Sequence, residues 1–172
     1  SRMKSVLAGV EGIRLPKHAE LTDRPAVKDL FRIAGKVVVK PKDGYGSQDT
    51  HVVGDRGALD EVLQWPSSKQ AGYLVEEFVA APVFHLDAVV RGGRILFSSL
   101  GKYVVAPIDF VGRNWVGTRF SNADTALHRS ARNDLGTILD AFGTTDGVFH
   151  YEFFFDGETV TFGEIAIRPV GG

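Results

Sequence analysis

The chain has 172 residues, of which 44% are apolar and 24% charged, with a formal net charge of −1. This is ordinary globular composition, enough to bury a core in one domain or two small lobes, and the near-neutral balance gives no electrostatic case for nucleic acid or an anionic membrane as partner. The absence of cysteine excludes a disulfide framework and thiolate chemistry and suits a cytoplasmic location, no apolar run approaches the roughly 18 residues of a membrane span, and the amino terminus lacks a signal-peptide pattern.

Met3, Val6, Leu7 and Val10 recur at helical intervals over residues 2–11, and Gly12 supplies a stop. Pro16 then forces an extended segment. A second helix runs from Asp23 and Pro25 to about Ile33, with Asp23 as its cap, Val27, Leu30 and Phe31 as its buried stripe, and Gly35 at its end. KVVVK at 36–40 predicts a strand, PKDGYGSQD a long glycine-bearing tip, and HVV a return strand. Residues 57–65 read as helix, PSSKQAG as a turn and YLVEEFVA as a strand. VFHLDAVV, Gly92-Gly93 and RILFSSL form a hairpin, and residues 101–122 read as loop with short strands. The periodicity of Leu127, Ala131, Leu135, Ile138 and Leu139 predicts a helix over 123–142, capped by Asn122 or Asp124. The expected fold class is α+β, in two small lobes with antiparallel sheets, 1–78 and 79–172. The chain begins on Ser1 and stops on Gly171-Gly172, directly after a charged hairpin, which reads as a piece of a longer protein.

That last hairpin, VFHYEFFFDGETVTFGEIAIRPVGG, carries charge where a core strand is normally apolar. Side chains alternate faces with a period of two, so a two-residue Asp156-Gly157 turn would pair Phe155 with Glu158 and put Glu152 and Glu164 on opposite faces, whereas a three-residue turn over 156–158 would pair Phe155 with Thr159. His150, Glu152, Phe154, Phe162, Glu164, Ala166 and Arg168 would then share one face. In that register Glu164 faces His150, and Glu152 is its diagonal neighbour at roughly 7 Å. Two carboxylates so placed suit a hard cation such as magnesium, with phosphate oxygens completing the octahedron. The ordinary alternative is a solvated sheet face.

Two further stretches carry chemistry. Gly44, Gly46 and Ser47 let the backbone turn sharply and present N–H groups to an anion, with Lys40 as a point charge at the strand end. The spacing is not that of a P-loop; a β-hairpin flap over phosphates fits it, as does a solvated hairpin tip. LVEEFV at 74–79, read as an exposed strand edge, can offer a carbonyl and an N–H to adenine, although a Glu-Glu pair is also common at a solvated corner.

A lysine strand with a glycine flap, a Glu-Glu-Phe-Val linker and a hairpin bearing Glu, Glu and Arg, in this order and spacing, resemble the ATP-grasp superfamily. The resemblance runs from GIRLP at 12–16 through VVVKPKDGYGS, YLVEEFV, FHLDAVVRGGRI and FHYEFF to GEIAIRPVGG. It implies ATP as cofactor with Mg2+, or Mn2+ in its place, in a nucleotide site between the lobes. Lys40 and the flap with Gly44, Gly46 and Ser47 would contact the phosphates, and Glu76 with the backbone of Glu77 and Val79 would hold adenine against Phe154. Glu152 and Glu164 would bind the metal, and Arg168, with Lys40 a catalytic residue, would contact the transferred phosphoryl group. The implied activity is ATP-dependent activation of a small carboxylate such as an amino acid as its acyl phosphate, for attack by an amine. A homodimer is the assembly such a reading suggests.

Two departures and one rival accompany the resemblance. Val83 stands where many relatives have a ribose-binding glutamate, and Ala166 where an asparagine often follows the second metal-binding glutamate, so a nucleotide-binding module without turnover is the alternative. His85 and Asp87 share a face and His150 lies on the charged hairpin, a set that also suits zinc or iron in a His/carboxylate metalloenzyme. Lys102, Tyr103 and Arg119 are candidates for the substrate side, or ordinary surface and packing residues.

Overall fold

The structure is a computed structural model and describes residues 2–43, 47–109, 117–121 and 125–169. It divides into two compact units, one formed by residues 16–79 with the first two residues, the other by residues 3–15 and 80–172. Residues 3–15 therefore belong with the second unit, where Leu7 is fully buried in the core. Helix α1 (Arg2–Leu7) is shorter than the 2–11 expected, since Gly9 and Gly12 both take positive φ, which ends a helix.

In the first unit, β1 (His18–Glu20) is followed by α2 (Arg24–Ala34), β2 (Val37–Pro41), β3 (His51–Val53), α3 (Arg56–Leu63), α4 (Ser67–Gln70) and β4 (Tyr73–Glu77). Asp23 caps α2, its carboxylate accepting the Ala26 N–H at 3.2 Å, and Gly35 closes it in the left-handed conformation. Val27 and Leu30 on α2, Leu59, Val62 and Leu63 on α3, and Val37, Val39, Val53 and Val75 on the strands form the core. The sheet order is β1-β4-β2-β3, antiparallel throughout. The expectation of an exposed edge at 74–79 is thus corrected: β4 lies inside the sheet. The sequence between β1 and β4 folds as a β-hairpin with helices on either side of it, and that leaves the central position to the last strand.

In the second unit, β5 (Val83–Arg91), β6 (Arg94–Tyr103), β7 (Thr118–Phe120), α5 (Ala126–Phe142), β8 (Gly147–Phe155) and β9 (Val160–Ala166) form an antiparallel sheet of order β7-β6-β5-β8-β9 with α5 on one face. Leu86, Ala88, Val90, Leu100, Phe149, Tyr151, Phe153 and Phe162 pack with Ala131, Leu135, Ile138 and Leu139 of α5. Helix α5 starts three residues later than expected: Thr125 is the cap, accepting the His128 N–H at 3.1 Å, while the expected caps Asn122 and Asp124 lie outside the described residues. In the stretch expected as loop with short strands, 101–122, β6 continues to Tyr103 and Lys102 pairs with Arg119 of the short strand β7, while residues 110–116 and 122 lie outside the described residues. No helix among the described residues is long and apolar enough to cross a membrane.

Candidate active site

Strand β8 has two faces of opposite character. Phe149, Tyr151 and Phe153 point into the core, so the intervening residues His150, Glu152 and Phe154 face the other way. Across the hairpin the structure departs from simple parity counting. The turn spans four residues, 156–159, with the Asp156 carboxylate accepting the N–H groups of Glu158 at 2.9 Å and Thr159 at 2.8 Å, and Phe155 pairs with Val160 rather than Thr159. A bulge at Gly163 then restores the parity, so that Glu152 pairs directly with Glu164, His150 with Ala166, and Phe162 with Phe153.

The expected register is corrected accordingly. Glu164 faces Glu152 and not His150, and Phe162 belongs to the core instead of the charged face. Of the predicted common face, His150, Glu152, Phe154, Glu164 and Ala166 share one side of the sheet, while Arg168 falls beyond the end of β9. Glycine at 163 is a steric requirement, since a Cβ there would lie 2.9 Å from the Glu152 carbonyl oxygen. Such close backbone approach is a usual role for glycine in a strand. Arg168, exposed, lies two residues beyond β9, its Nη1 donating to the Pro169 carbonyl at 2.9 Å.

Glu152 is held by neighbours the sequence did not connect to it. Tyr103 donates its hydroxyl to Glu152 Oε1 at 2.6 Å, and His150 Nε2 lies 3.1 Å from the same oxygen. His150 Nδ1 meets Asp87 Oδ1 at 2.7 Å, His85 Nδ1 meets Asp87 Oδ2 at 2.8 Å, and His85 Nε2 meets Thr118 Oγ1 at 2.9 Å. Proton accounting fixes most of the roles. The one phenolic proton of Tyr103 goes to Glu152, so His150 needs a proton on each nitrogen to satisfy both carboxylates.

The electrostatics agree. Burial pushes the His150 pKa down, but its hydrogen bonds to Asp87 and Glu152 and their charges prevail and raise it to about 9. Burial pushes Glu152 up, yet the bonds from His150 and Tyr103 hold it below the usual range. Asp87 is likewise held low by His150 and His85 against its burial. Burial and the Glu152 charge together keep Tyr103 protonated.

His85, Asp87 and His150 also offer ligand atoms within 4.8 Å of one another, the set read from sequence as a zinc or iron rival. Both imidazoles, however, turn Nδ1 to Asp87 and use its two oxygens as hydrogen-bond partners. Lys102 and Arg119 pair with each other on the opposite side of the sheet from Tyr103, with the Lys102 ammonium 5.5 Å from the Phe84 ring. Of the three substrate-side candidates, only Tyr103 shares the face of Glu152.

In the first unit, Lys40 forms an ion pair with Glu76 at 3.0 Å. Their places are set by the β2–β4 register, in which Val38 pairs with Glu76 and Lys40 with Leu74. Glu76 is 5% exposed, which makes this a buried carboxylate carrying a half-buried ammonium. The N–H groups of Glu77 and Phe78 donate to the carbonyls of Lys17 and Lys36; Val79 follows the strand, half-buried. Of the flap, Ser47 adopts φ 56, in the left-handed region, and Gly44 and Gly46 lie outside the described residues. Its far end is tied down where Asp49 accepts from the Tyr73 hydroxyl and lies 2.9 Å from His51 Nε2, contacts that lower Asp49 and raise Tyr73 to about 12.

An α+β chain of two antiparallel-sheet units, one carrying Lys40 on its β2 strand, the other with two opposed glutamates on a hairpin, has the ATP-grasp fold. The particular relatives are, by name, amino acid ligases and a synthetase. The chain is 25% identical over 166 residues to the L-arginine-specific L-amino acid ligase of Bacillus subtilis, covering 90% of this chain and 38% of that protein. Among solved structures it is similar to N5-carboxyaminoimidazole synthetase from Staphylococcus aureus complexed with ADP, with TM-score 0.76, 19% identity, and 98% of this chain against 44% of that one. The L-amino acid ligase from Bacillus licheniformis gives TM-score 0.70 at 22% identity, with 97% and 39% covered. The chain thus spans about two fifths of the length of these relatives. No protein-family model matches it.

Proposed function

We propose that the chain is the nucleotide- and metal-binding portion of an ATP-dependent ligase that joins a small carboxylate, such as an amino acid, to an amine. The direct opposition of Glu152 and Glu164 on one sheet face carries this reading. Two carboxylates set opposite one another offer hard oxygen donors, which are what Mg2+ takes, so the donor set fits that ion, or Mn2+. Bound there, the metal supplies neutralisation of phosphate charge.

The remaining work falls to the protein's own groups. Glu152 and Glu164 hold the cation site, with Oε1 of Glu152 fixed by Tyr103 and His150. Lys40, oriented by Glu76, offsets the charge of the nucleotide phosphates together with the backbone of the flap, Gly44, Gly46 and Ser47. Glu77 and Val79 contribute the backbone for adenine, and Phe154 an apolar wall. Arg168 stabilises the phosphoryl group in transfer. A substrate carboxylate oxygen attacks the γ-phosphorus as the bond to the ADP oxygen breaks, and the amine then attacks the acyl carbon as inorganic phosphate leaves. Little covalent work is asked of the protein, which acts by positioning and electrostatics.

The reading is tested on the full-length protein by following ADP and phosphate release with Mg2+ across a panel of amino acids. Glu164→Gln should lower turnover by roughly 100-fold to 1,000-fold, the range for loss of one electrostatic stabiliser, and unchanged turnover would overturn the assignment. The gathering of His85, Asp87 and His150 within 4.8 Å favours one other reading, a zinc or iron site. Zinc or iron retained through dialysis of the purified protein would select it.

A further inference from the structure

Five polar side chains form one unbroken path across the second unit's sheet, from Thr118 on the edge strand through His85, Asp87 and His150 to Glu152, with Tyr103 joining at the end. We infer that Tyr103, His150 and Asp87 are positioning residues for Glu152, fixing Oε1 so that the carboxylate is already oriented when a divalent cation arrives. This rests on the reading of Glu152 as a metal ligand and goes beyond it.

Three observations carry the inference. First, the path is enclosed: the side chains of His85 and His150 are 0% and 3% exposed, while those of Asp87 and Glu152 are 19% and 24%. The two imidazoles are therefore closed off from solvent, and their contacts hold them between the partly exposed carboxylates. Second, both hydrogen bonds to Glu152 among the described residues fall on Oε1, the pattern of a carboxylate anchored by one oxygen. Third, space has been cleared for the path. A Cβ at Gly101, on the strand between β5 and β7, would lie 2.4 Å from His85 Nε2 and 2.5 Å from Thr118 Cγ2. The imidazole crosses β6 only because residue 101 has no side chain.

A path built only for packing would be served as well by apolar side chains, which avoid the desolvation of four ionisable groups. A path that orients a metal ligand has to be polar. Outer-shell partners of this kind hold the ligating group in one orientation, and their loss typically weakens metal binding by about 10-fold to 100-fold.

The probe is Mn2+, titrated into the full-length protein holding a nonhydrolysable ATP analogue, with free Mn2+ read by electron paramagnetic resonance. Tyr103→Phe removes one oxygen. His150→Asn keeps a donor toward Asp87 and removes the one toward Glu152, whereas His150→Gln does the reverse. Tyr103→Phe and His150→Asn should each weaken Mn2+ by about 10-fold to 100-fold, His150→Gln should recover most of that loss, and metal-free affinity for the analogue should not move. Mn2+ affinity within twofold of the parent in both variants would overturn the inference; if His150→Asn does not fold, Tyr103→Phe decides alone. Glu152→Gln and Glu164→Gln separate the two levels. If they abolish Mn2+ binding while Tyr103→Phe and His150→Asn leave it intact, only the positioning role falls; if they leave Mn2+ binding intact, the metal assignment falls and the positioning role with it.

Discussion

Glu152 and Glu164 face each other squarely across β8 and β9, and one residue, Gly163, brings them into line by letting β9 bulge against the Glu152 carbonyl. Their paired oxygens are the hard donors a divalent cation takes, and only the folded chain brings them together. Millimolar Mg2+ in the presence of an ATP analogue should therefore raise the melting temperature, by an amount corresponding to about 2.7 kcal/mol when the ligand is at 100 times its Kd. Glu164→Gln should melt at a temperature insensitive to Mg2+. Differential scanning fluorimetry with and without EDTA reads both, and an equal Mg2+ response in the two proteins would contradict the shared site.

The bulge can be tested on its own. In Gly163→Ala the new methyl would sit 2.9 Å from a backbone oxygen, and backbone yields less readily than a side-chain tip. Overpacking of this kind costs typically 1–3 kcal/mol. The expected result is a lower denaturation midpoint in urea together with weaker Mn2+ binding, since a shift in the bulge moves Glu164 away from its partner. A variant as stable as the parent would show that the bulge tolerates a side chain.

Two other glycines should respond in opposite senses. Gly101→Ala places a methyl against His85 and Thr118, so it should break their 2.9 Å contact and destabilise by roughly 1–3 kcal/mol. Gly136 lies within α5, and a methyl added to it would meet nothing within 4 Å, while glycine costs a helix interior about 0.5–1 kcal/mol relative to alanine. Gly136→Ala should raise the unfolding free energy by about that amount. Paired urea titrations settle the signs.

Asp134 predicts a pH dependence unconnected with the charged face. It lines a cleft with Arg14, Leu127, Phe155 and Thr159, and burial raises its pKa from 3.8 to about 6. Because the folded value lies above the unfolded one, its contribution to stability is complete below pH 3.8 and is lost as pH rises through about 6. The rise from 3.8 to about 6 sets an upper bound of about 3 kcal/mol, which partial exposure reduces to roughly 1–2 kcal/mol. Asp134→Asn should therefore gain stability over the parent at pH 8 and lose that advantage at pH 4. Melting curves across that range would expose a flat difference if the carboxyl is not strained.

Much of this was legible from residue order. The aromatic alternation in FHYEFFF places Glu152 opposite a core face, and the caps Asp23 and Gly35 stand where their residue types demand. The hairpin register was two residues off at Glu164, because the turn holds four residues where three were counted and the bulge adds another; Gly163 inside a strand was the signal for the bulge. The path to Glu152 was not legible for a different reason. His85, Asp87, Tyr103 and Thr118 come from three strands whose order, β7-β6-β5-β8-β9, is a tertiary fact, and Tyr103 lay in a stretch whose glycines and proline obscured the end of β6. Likewise β4 reads as an edge by its Glu-Glu pair, whereas its position between β1 and β2 buries Glu76 against Lys40.

The double character of β8 has a consequence for how this chain can diverge. A one-residue insertion or deletion anywhere along Gly147–Phe155 would swing aromatic rings into the open and drive a carboxylate and an imidazole beneath α5. The core thus holds the charged face in register: a slip that turns Glu152 inward also takes Phe149, Tyr151 and Phe153 out of the core. Novelty in what such a protein accepts has to be written elsewhere, in the connections between strands, where length is free to drift.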